Sequence, residues 1–289
     1  MSESSRPFDV PTQVVAAQVR EALAEDIGSG DVTAALIPAA RQADARVVSR
    51  EAGILCGSAW FDEVFRQLNR DIHVAWQAQD GAPVDRDTLI CTLRGPARSL
   101  LTGERTALNF LQTLSGTATA ACHYARAVAG SGARVLDTRK TLPGLRLAQK
   151  YAVRCGGCDN HRTGLFDMVL IKENHITSAG SIAAAVTTAK TQNPDLPIEV
   201  EVESLTQLRE ALAAGAHRVL LDNMDLDTLR EAVALNQGRA LLEASGGVTL
   251  DNIRTIAATG VNFISVGAIT KHVHALDLSM RLTSSEATE

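Results

Sequence analysis

From about residue 133 onward, the chain repeats one pattern: a short apolar strand followed by an amphipathic helix. Apolar strands are predicted at residues 135–136, 168–171, 198–202, 219–221, 241–242 and 263–266. Helical stretches are predicted between several of them, at residues 181–190, 205–213, 226–235 and 250–257. Strands that alternate with helices in this way predict a parallel sheet covered by helices. A doubly wound sheet and an α/β barrel both satisfy this pattern.

The positions of the polar residues favour the barrel. Nearly every predicted strand ends in a polar or glycine-rich cluster, at residues 137–140, 172–175, 201–203, 222–223, 243–247 and 267–268. Barrel enzymes collect their chemistry at the carboxyl ends of many strands, whereas a doubly wound sheet concentrates it at one switch point. A complete barrel has about eight strands. Because fewer are visible here, the barrel is either incomplete or includes strands that the pattern does not reveal.

The first 115 residues have a different pattern. Helices are predicted at residues 11–26 and 59–68, and short strands at residues 45–49, 53–56, 72–76 and 88–93. A long helix is predicted over residues 97–128. Mixed elements in this order indicate an α+β module. We therefore predict an N-terminal domain over residues 1–115 and a barrel over residues 116–274, with residues 275–289 packing back on the first domain.

Composition excludes several classes of function. The chain has 28 Lys and Arg against 33 Asp and Glu, a net charge of -5, whereas proteins that coat nucleic acid are usually basic. Aromatic residues make up only 3%, too few for a platform that stacks single strands. There is no apolar stretch of about 20 residues, so no membrane-spanning helix is expected. From these three observations, neither a nucleic acid nor a membrane is an expected partner. Five cysteines and no secretory leader predict a cytoplasmic protein without a disulfide framework.

Basic residues concentrate in the first part of the predicted barrel. Residues 137–175 contain seven lysines and arginines against four acids; the basic residues are Arg139, Lys140, Arg146, Lys150, Arg154, Arg162 and Lys172. Arginine suits bidentate binding of carboxylate or phosphate, and lysine acts as a point charge. Several of these residues directly follow apolar strands. The segment therefore predicts a funnel that binds anions.

The candidate acids lie at the ends of later strands. Glutamates alternate with aliphatic residues over residues 198–203, which sends the two sets to opposite faces of the strand. Buried carboxylates need a cation, a metal or hydrogen-bond donors. Glu201 and Asp222 are therefore predicted to bind sugar hydroxyls or a Mg²⁺ ion carried by a polyphosphate. Glu199 is predicted to pair with the basic residues listed above.

Glycines at the last two strand ends suggest a phosphate site. The residues concerned are Ser245, Gly246 and Gly247 before a predicted helix, and Val266, Gly267 and Ala268 at the end of the final strand. Glycine allows backbone N–H groups to approach a phosphate closely, and barrels often bind phosphate in the loops after their last strands. A plain tight turn is the alternative interpretation.

The spacing of two cysteines is compatible with a thiol or metal site. Cys155 and Cys158 have CxxC spacing, and His161 follows three residues later. Structural zinc usually needs four ligands, with a second pair at matched spacing, and no such pair is obvious here. We interpret the thiols as incidental and keep a thiol or metal sensor as an alternative.

Taken together, the motifs resemble the quinolinate phosphoribosyltransferase family. The resemblance extends from about residue 25 to residue 281 and is carried by residues 25–33, 103–110, 137–146, 160–162, 170–175 and 263–268. It implies an N-terminal α/β sandwich domain and an open, incomplete α/β barrel. It also implies a homodimer in which the N-terminal domain reaches over the partner's barrel, with assembly to a hexamer in some members.

The resemblance implies a reaction of quinolinate with phosphoribosyl pyrophosphate and Mg²⁺ that gives nicotinate mononucleotide, pyrophosphate and CO₂. The implied quinolinate-binding residues are Arg105, acting in trans, and Thr138, Arg139, His161, Arg162 and Lys172. Lys140, Glu201 and Asp222 are implied to bind the phosphoribosyl donor. Mg²⁺ is expected to be held mainly through pyrophosphate, with Glu201 and Asp222 as candidate ligands. The glycine-rich segments at residues 245–247 and 266–268 are implied to hold the 5′-phosphate.

Three alternatives stay open at this point. A lysine-dependent aldolase would use Lys172 or Lys140 to form a Schiff base, and a thiol or metal sensor would use the CxxC segment. Nicotinate-using phosphoribosyltransferases are a nearer rival, but they would need no site for a second carboxylate. One departure from the family also stands out, because Cys158 and Asp159 replace small residues. We expect this extra acid to adjust the loop or weaken the anion site.

Overall fold

The computed structural model describes residues 10–283, which form two compact units. The first comprises the described chain up to Ala121, the segment Leu142–Gly157, and the described chain from Val273. The second comprises Cys122–Thr141 and Cys158–His272. Residues 1–9 and 284–289, which belong to the predicted segments 1–115 and 275–289, lie outside the described residues. The predicted domain division at residue 115 stays a prediction.

The elements follow one another in the order that the sequence pattern predicts, with several additions. The first half contains α1 (Thr12–Ile27), a 3₁₀ turn (Ala34–Leu36), β1 (Gln42–Ser49), β2 (Gly53–Ile54), α2 (Ser58–Leu68), β3 (His73–Trp76), β4 (Pro83–Val84), β5 (Leu89–Pro96) and α3 (Ala97–Ala127). The second half contains β6 (Arg134–Leu136), α4 (Arg146–Cys155), β7 (Val169–Ile171), α5 (Glu173–Ala179), α6 (Ile182–Gln192), β8 (Ile198–Val202), α7 (Leu205–Ala213), β9 (Arg218–Asp222), α8 (Leu226–Asn236), β10 (Leu241–Ser245), α9 (Ile253–Ala257), β11 (Phe263–Ser265), α10 (Ala268–Lys271) and β12 (Leu278–Thr283).

The first unit is built on an antiparallel sheet with the strand order β12-β1-β5-β3. Side chains of β1 alternate between buried and more exposed positions, which is the pattern of a sheet with one covered face. In α2, the residues Trp60, Phe61, Val64 and Phe65 are buried along one side of the helix. Burying a large apolar side chain of this kind contributes about 1.5–3 kcal/mol. The pairing of β12 with β1 brings part of the predicted 275–289 segment into this sheet.

The second unit is an open, incomplete α/β barrel, as predicted. Its six strands are parallel and have the order β6-β11-β10-β9-β8-β7. Asp159 adds a short bridge at the free edge of β6, where its N–H donates to the Val135 carbonyl at 2.8 Å. Within residues 10–283, no strand joins this edge to β7. Because all six strands run the same way, their carboxyl ends meet on one side of the unit.

The sequence pattern missed three helices that follow predicted polar clusters, namely α4, α5 and the short α10. In α4, the polar side chains of Gln149 and Lys150 are buried together with Ala148, Ala152 and Val153, so the helix lacks an obvious apolar stripe. In α5, no residue is buried, so it has no apolar periodicity to detect.

The helices of residues 10–283 include none that is long and apolar enough to cross a membrane. The cytoplasmic location stays a prediction.

Candidate active site

Six strand ends meet around one cavity of about 290 Å³ in the second unit. It is lined by Thr138, Arg139, Lys140, His161, Arg162, Leu170, Lys172, Glu201, Leu220, Asp222, Glu243, Ser245 and Ser265. The structure therefore brings together nine residues that the sequence singled out, namely Thr138, Arg139, Lys140, His161, Arg162, Lys172, Glu201, Asp222 and Ser245. The parallel barrel explains this convergence, because residues distant in sequence end their strands on the same side.

The predicted anion funnel is smaller than the sequence suggested. Four of its seven basic residues line the cavity, namely Arg139, Lys140, Arg162 and Lys172. The other three, Arg146, Lys150 and Arg154, lie on α4, which belongs to the first unit. The prediction that all seven lie in the barrel is therefore wrong, because residues 142–157 belong to the first unit.

Two arginines place positive charge on the wall of the cavity. Burial, followed by the positive charge of Arg139, lowers the pKa of Arg162. Arg162 Nη1 donates to the Met168 carbonyl at 3.3 Å. Arg139 Nε is buried, and within residues 10–283 it has no hydrogen-bond partner. A buried donor without a partner is costly, so a bound carboxylate that accepts from it is favoured.

Lys172 and Glu201 form an ion pair across neighbouring strands. Lys172 follows β7, Glu201 lies on β8, and Nζ is 2.6 Å from Oε2. Glu201 faces the cavity while Ile198 and Val200 are buried, which agrees with the predicted alternation. A lysine that forms a Schiff base must present a neutral amine. Nζ of Lys172 is instead engaged by the Glu201 carboxylate, which argues against the aldolase alternative at Lys172.

The ends of β9 and β10 are held together by Asn223. Its Nδ2 donates to Asp222 Oδ2 at 2.7 Å, and its backbone N–H donates to the Ser245 carbonyl at 3.0 Å. Gly246 has φ +95°, and a Cβ at this position would lie 2.1 Å from Asn223 Oδ1. Both the backbone angle and the close neighbour therefore require glycine.

The other predicted phosphate segment lies beside the end of β6. Gly267 follows β11, and a Cβ on it would lie 3.0 Å from Lys140 Cδ. Thr270 of α10 donates its hydroxyl to the Lys140 carbonyl at 2.8 Å. Lys140 N–H donates to Thr138 Oγ1 at 3.0 Å. These contacts fix the backbone of the segment after β6 against the segment that contains Val266, Gly267 and Ala268.

A buried carboxylate organises the loop at residues 160–162. Asp137 Oδ1 accepts from the His161 backbone N–H at 2.8 Å, and its Oδ2 accepts from Asn160 Nδ2 at 2.7 Å. Arg162 follows directly and reaches the cavity wall. Asp159 lies 2.5 Å from Arg134 Nε. Because Arg134 begins β6, Asp159 is paired at the opposite end of that strand from the cavity.

Sequence reasoning missed a buried charge cluster beneath the cavity. Arg218 Nε lies 3.0 Å from Glu199 Oε1, and the Arg218 guanidinium also contacts Glu243. His161 Nε2 lies 3.0 Å from Glu199 and 3.6 Å from Glu243. Glu199 therefore pairs with Arg218 and contacts His161. The sequence predicted that Glu199 pairs with basic residues between 137 and 175, and Arg218 lies outside that segment. Alternate residues of β10, Glu243 and Ser245, both line the cavity, and this two-residue spacing was the sequence signal that could have identified Glu243.

Burial dominates the electrostatics of this cluster. Burial, and then the neighbouring Glu199 carboxyl, raise the pKa of Glu243 to about 7. Burial also raises the pKa of Glu199, against the opposing effect of Arg218. The side chain of Arg218 packs over the Phe263 ring, with its guanidinium carbon 4.2 Å from the ring centroid.

The predicted residue Arg105 lies on α3, in the first unit, and is exposed. Its helical neighbours are tied to the loop after α1. Thr102 donates its hydroxyl to Asp31 at 2.9 Å, and Thr106 donates its hydroxyl to Asp26 at 3.2 Å. The motif at residues 25–33 therefore fixes the helical turns on both sides of Arg105.

The alternative of a metal sensor built on the CxxC segment gains no support from the part of the chain that the structure describes. Within residues 10–283, the one group spaced to hold a metal ion is His161, Glu199 and Glu243, which contains no cysteine. Arg218 already supplies a cation to both carboxylates of this group.

Comparison with known proteins gives a consistent result across the chain. Residues 31–115 match the family described as the N-terminal domain of quinolinate phosphoribosyl transferase, and residues 117–281 match its C-terminal domain. The chain is 43% identical over 267 residues to a probable nicotinate-nucleotide pyrophosphorylase [carboxylating] of Bacillus subtilis, covering 92% of each protein.

Solved structures agree with the sequence comparison. The nicotinate-nucleotide pyrophosphorylase of Francisella tularensis is 48% identical and superposes with a TM-score of 0.94, covering 97% of this chain and 100% of that one. Human nicotinic acid phosphoribosyltransferase has a TM-score of 0.64 at 14% identity, covering 96% of this chain and 75% of that one, so it shares the fold alone.

Proposed function

Because the chain belongs to the quinolinate phosphoribosyltransferase family, we propose that the cavity at its strand ends is where the two substrates meet. The chain is a decarboxylating phosphoribosyltransferase of NAD biosynthesis, which converts quinolinate and phosphoribosyl pyrophosphate to nicotinate mononucleotide, pyrophosphate and CO₂. The observation that carries the assignment of the site is the convergence of four basic residues and two candidate acids on one cavity.

Quinolinate carries two adjacent carboxylates, which the basic side of the cavity suits. Arg139 and Arg162 offer guanidinium groups for bidentate binding, and Lys172 adds a third positive charge. Thr138 and His161 line the same wall and complete the proposed quinolinate site. Hydrogen bonds to charged groups contribute about 1.5–3 kcal/mol each.

The acidic side suits the phosphoribosyl donor. Glu201 and Asp222 are proposed to accept hydrogen bonds from the ribose hydroxyls, and Lys140 is proposed to contact both substrates and pyrophosphate. The 5′-phosphate is assigned to Ser245, Gly246, Gly247, Val266, Gly267 and Ala268. The positive φ angles of the consecutive residues Gly246 and Gly247 support this assignment, since turns of this kind can direct backbone N–H groups at an anion.

The reaction needs positioning and electrostatics rather than a covalent nucleophile. The pyridine nitrogen forms a bond to C1 of the ribose as the bond from C1 to pyrophosphate breaks. Positive charge develops at C1, where the carboxylates of Glu201 and Asp222 stabilise it. The pyridinium then loses its 2-carboxylate as CO₂, because the positive nitrogen stabilises the electron pair left on C2. A proton from water or the enzyme completes the product.

The donor set is compatible with Mg²⁺. Mg²⁺ prefers oxygen ligands and is usually held by one or two carboxylates together with substrate phosphates. Glu201 and Asp222 are carboxylates on the same cavity and would be those ligands. When bound, the ion would neutralise the charge that develops on departing pyrophosphate.

Arg105 is proposed to act on the cavity of a partner subunit in a homodimer, and a hexamer built from such dimers is the alternative assembly. Arg105 is exposed, as an interface residue must be in the isolated chain. Large apolar side chains are also exposed in both units, namely Val32, Leu36, Leu165 and Phe166. Exposed apolar groups of this kind often mark protein interfaces.

The metal requirement has a direct test. We expect a chelator to abolish formation of nicotinate mononucleotide from both substrates, and added Mg²⁺ to restore it. Quinolinate binding alone, measured by calorimetry, is expected to persist with the chelator, because its proposed ligands are arginine and lysine. Full turnover in metal-free buffer would contradict the role of Mg²⁺.

A further inference from the structure

Three members of the charge cluster beneath the cavity, Glu199, Glu243 and Arg218, have no role in the reaction described above. Glu199 and Glu243 have no exposed side-chain surface, and the side chain of Arg218 is 15% exposed. Buried ion pairs seldom add stability in comparison with apolar residues of similar volume. The cluster borders the active site through His161 and Glu243, both of which line the cavity. Its location therefore points to a role in the site rather than in the general stability of the barrel.

His161 connects the cluster to the cavity wall. Its Nδ1 accepts a hydrogen bond from the backbone N–H of Arg162 at 2.7 Å, so Nδ1 carries no proton. In a neutral imidazole the proton then sits on Nε2, which faces Glu199 and Glu243. Both ring nitrogens are thereby directed to protein groups, which leaves the carbon edge of the ring for the substrate.

We propose that Glu199 and Glu243 are positioning residues that act through His161: they fix its Nε2–H tautomer, so that Nδ1 holds the backbone of Arg162 at the quinolinate site. This inference rests on the proposed function, because it assigns to Arg162 a substrate carboxylate. Arg218 completes the arrangement by supplying the cation that two adjacent carboxylates require. Asp137 anchors the same loop from the other side, through the backbone N–H of His161.

A metal ion held by His161, Glu199 and Glu243 is the competing interpretation of this cluster. The three ligand atoms lie within 4.8 Å of one another. The Arg218 guanidinium, however, contacts both carboxylates. A cation is therefore already in place, so a metal would have to displace it.

Glu199→Gln tests the proposal with little change in shape. We expect the KM for quinolinate to rise about 10-fold, the usual size of effect when a group supporting a ligand is altered. The KM for phosphoribosyl pyrophosphate is expected to stay within about twofold, because Glu199 does not line the cavity wall assigned to that substrate. Glu210→Gln, an exposed glutamate on α7, is the matched control.

A triple variant guards against misfolding of the single one. In Glu199→Leu with Glu243→Leu and Arg218→Met, apolar side chains replace all three opposing charges, a change that folded proteins often tolerate. We expect the same selective rise in the KM for quinolinate. An unchanged KM in both folded variants would overturn the proposal.

Two further readouts separate positioning from a purely structural role. In an Arg162→Ala background, Glu199→Gln is expected to change the KM for quinolinate by less than about twofold, because the group that it positions is gone. Nitrogen NMR of ¹⁵N-histidine-labelled protein, with His161→Asn to assign the signal, is expected to show the proton on Nε2. A proton on Nδ1, or an unchanged effect of Glu199→Gln in that background, would overturn the proposal.

The inference and the proposed function fail in different ways. If Arg162→Ala leaves quinolinate use intact, then the cavity assignment is wrong, and the positioning role is wrong with it. If Arg162→Ala impairs quinolinate use but Glu199→Gln does not, then the positioning role alone is wrong.

Discussion

Arg139→Ala is expected to lower kcat/KM for quinolinate by about 10³-fold, since loss of one partner from a buried charged pair costs about 2–5 kcal/mol. The buried Nε of Arg139 has no hydrogen-bond partner within residues 10–283, so the side chain is available for a substrate carboxylate. Alanine removes the guanidinium and leaves that carboxylate without its partner. Steady-state kinetics with each substrate varied in turn gives the measurement. Arg162→Ala is expected to act in the same direction.

Asp222→Ala is the counterpart on the other side of the cavity. It is expected to impair chiefly the use of phosphoribosyl pyrophosphate, because Asp222 is assigned to ribose and metal. Thermal unfolding of each variant controls for loss of structure. The assignment is wrong if Arg139→Ala and Asp222→Ala shift only the melting temperature and leave catalysis intact.

Mixed dimers of two inactive variants are expected to regain activity if Arg105 acts in trans. Arg105→Ala lacks the residue that a subunit lends, and Arg139→Ala lacks a residue of its own barrel. A dimer with one of each therefore has one intact site. Random pairing makes half of the dimers mixed, so co-expression is expected to restore about a quarter of wild-type activity, from a level near zero for either variant alone.

The matching control uses two variants of the same barrel. Arg139→Ala mixed with Arg162→Ala leaves every site with one substitution, and no activity is expected to return. Mass measurement of the purified protein tells whether the assembly is a dimer or a hexamer. Failure of the first mixture to regain activity, despite formation of mixed dimers, would show that Arg105 does not act in a partner's site.

The sequence predicted most of the cavity because parallel strands gather their carboxyl ends. Lys172, Glu201 and Asp222 each follow or end an apolar strand, and all three line the cavity. The same pattern does not identify α4, because Gln149 and Lys150 are buried there. Hydrophobic periodicity reveals which face of a helix is apolar, and it cannot anticipate polar residues that are buried.

Side-chain contacts between neighbouring strands could not be predicted from the sequence. Arg218 and Glu243 belong to neighbouring strands, and their pairing depends on how the strands align. Glu199 was expected to pair with basic residues of an earlier segment, but the barrel places Arg218 closer. Gly246 was predicted to be part of the phosphate site because glycine suits such a site. The structure adds a second reason for glycine at this position, since the side chain of Asn223 occupies the space that a Cβ would need.

The most direct measurement compares quinolinate with nicotinate as acceptor. Purified protein is mixed with phosphoribosyl pyrophosphate, Mg²⁺ and one acceptor, and nicotinate mononucleotide and CO₂ are followed by mass. We predict product from quinolinate and none from nicotinate, because the arginine-rich wall binds the second carboxylate, which then leaves as CO₂. Product from nicotinate alone, or no product from folded protein in either tube, would contradict the assignment.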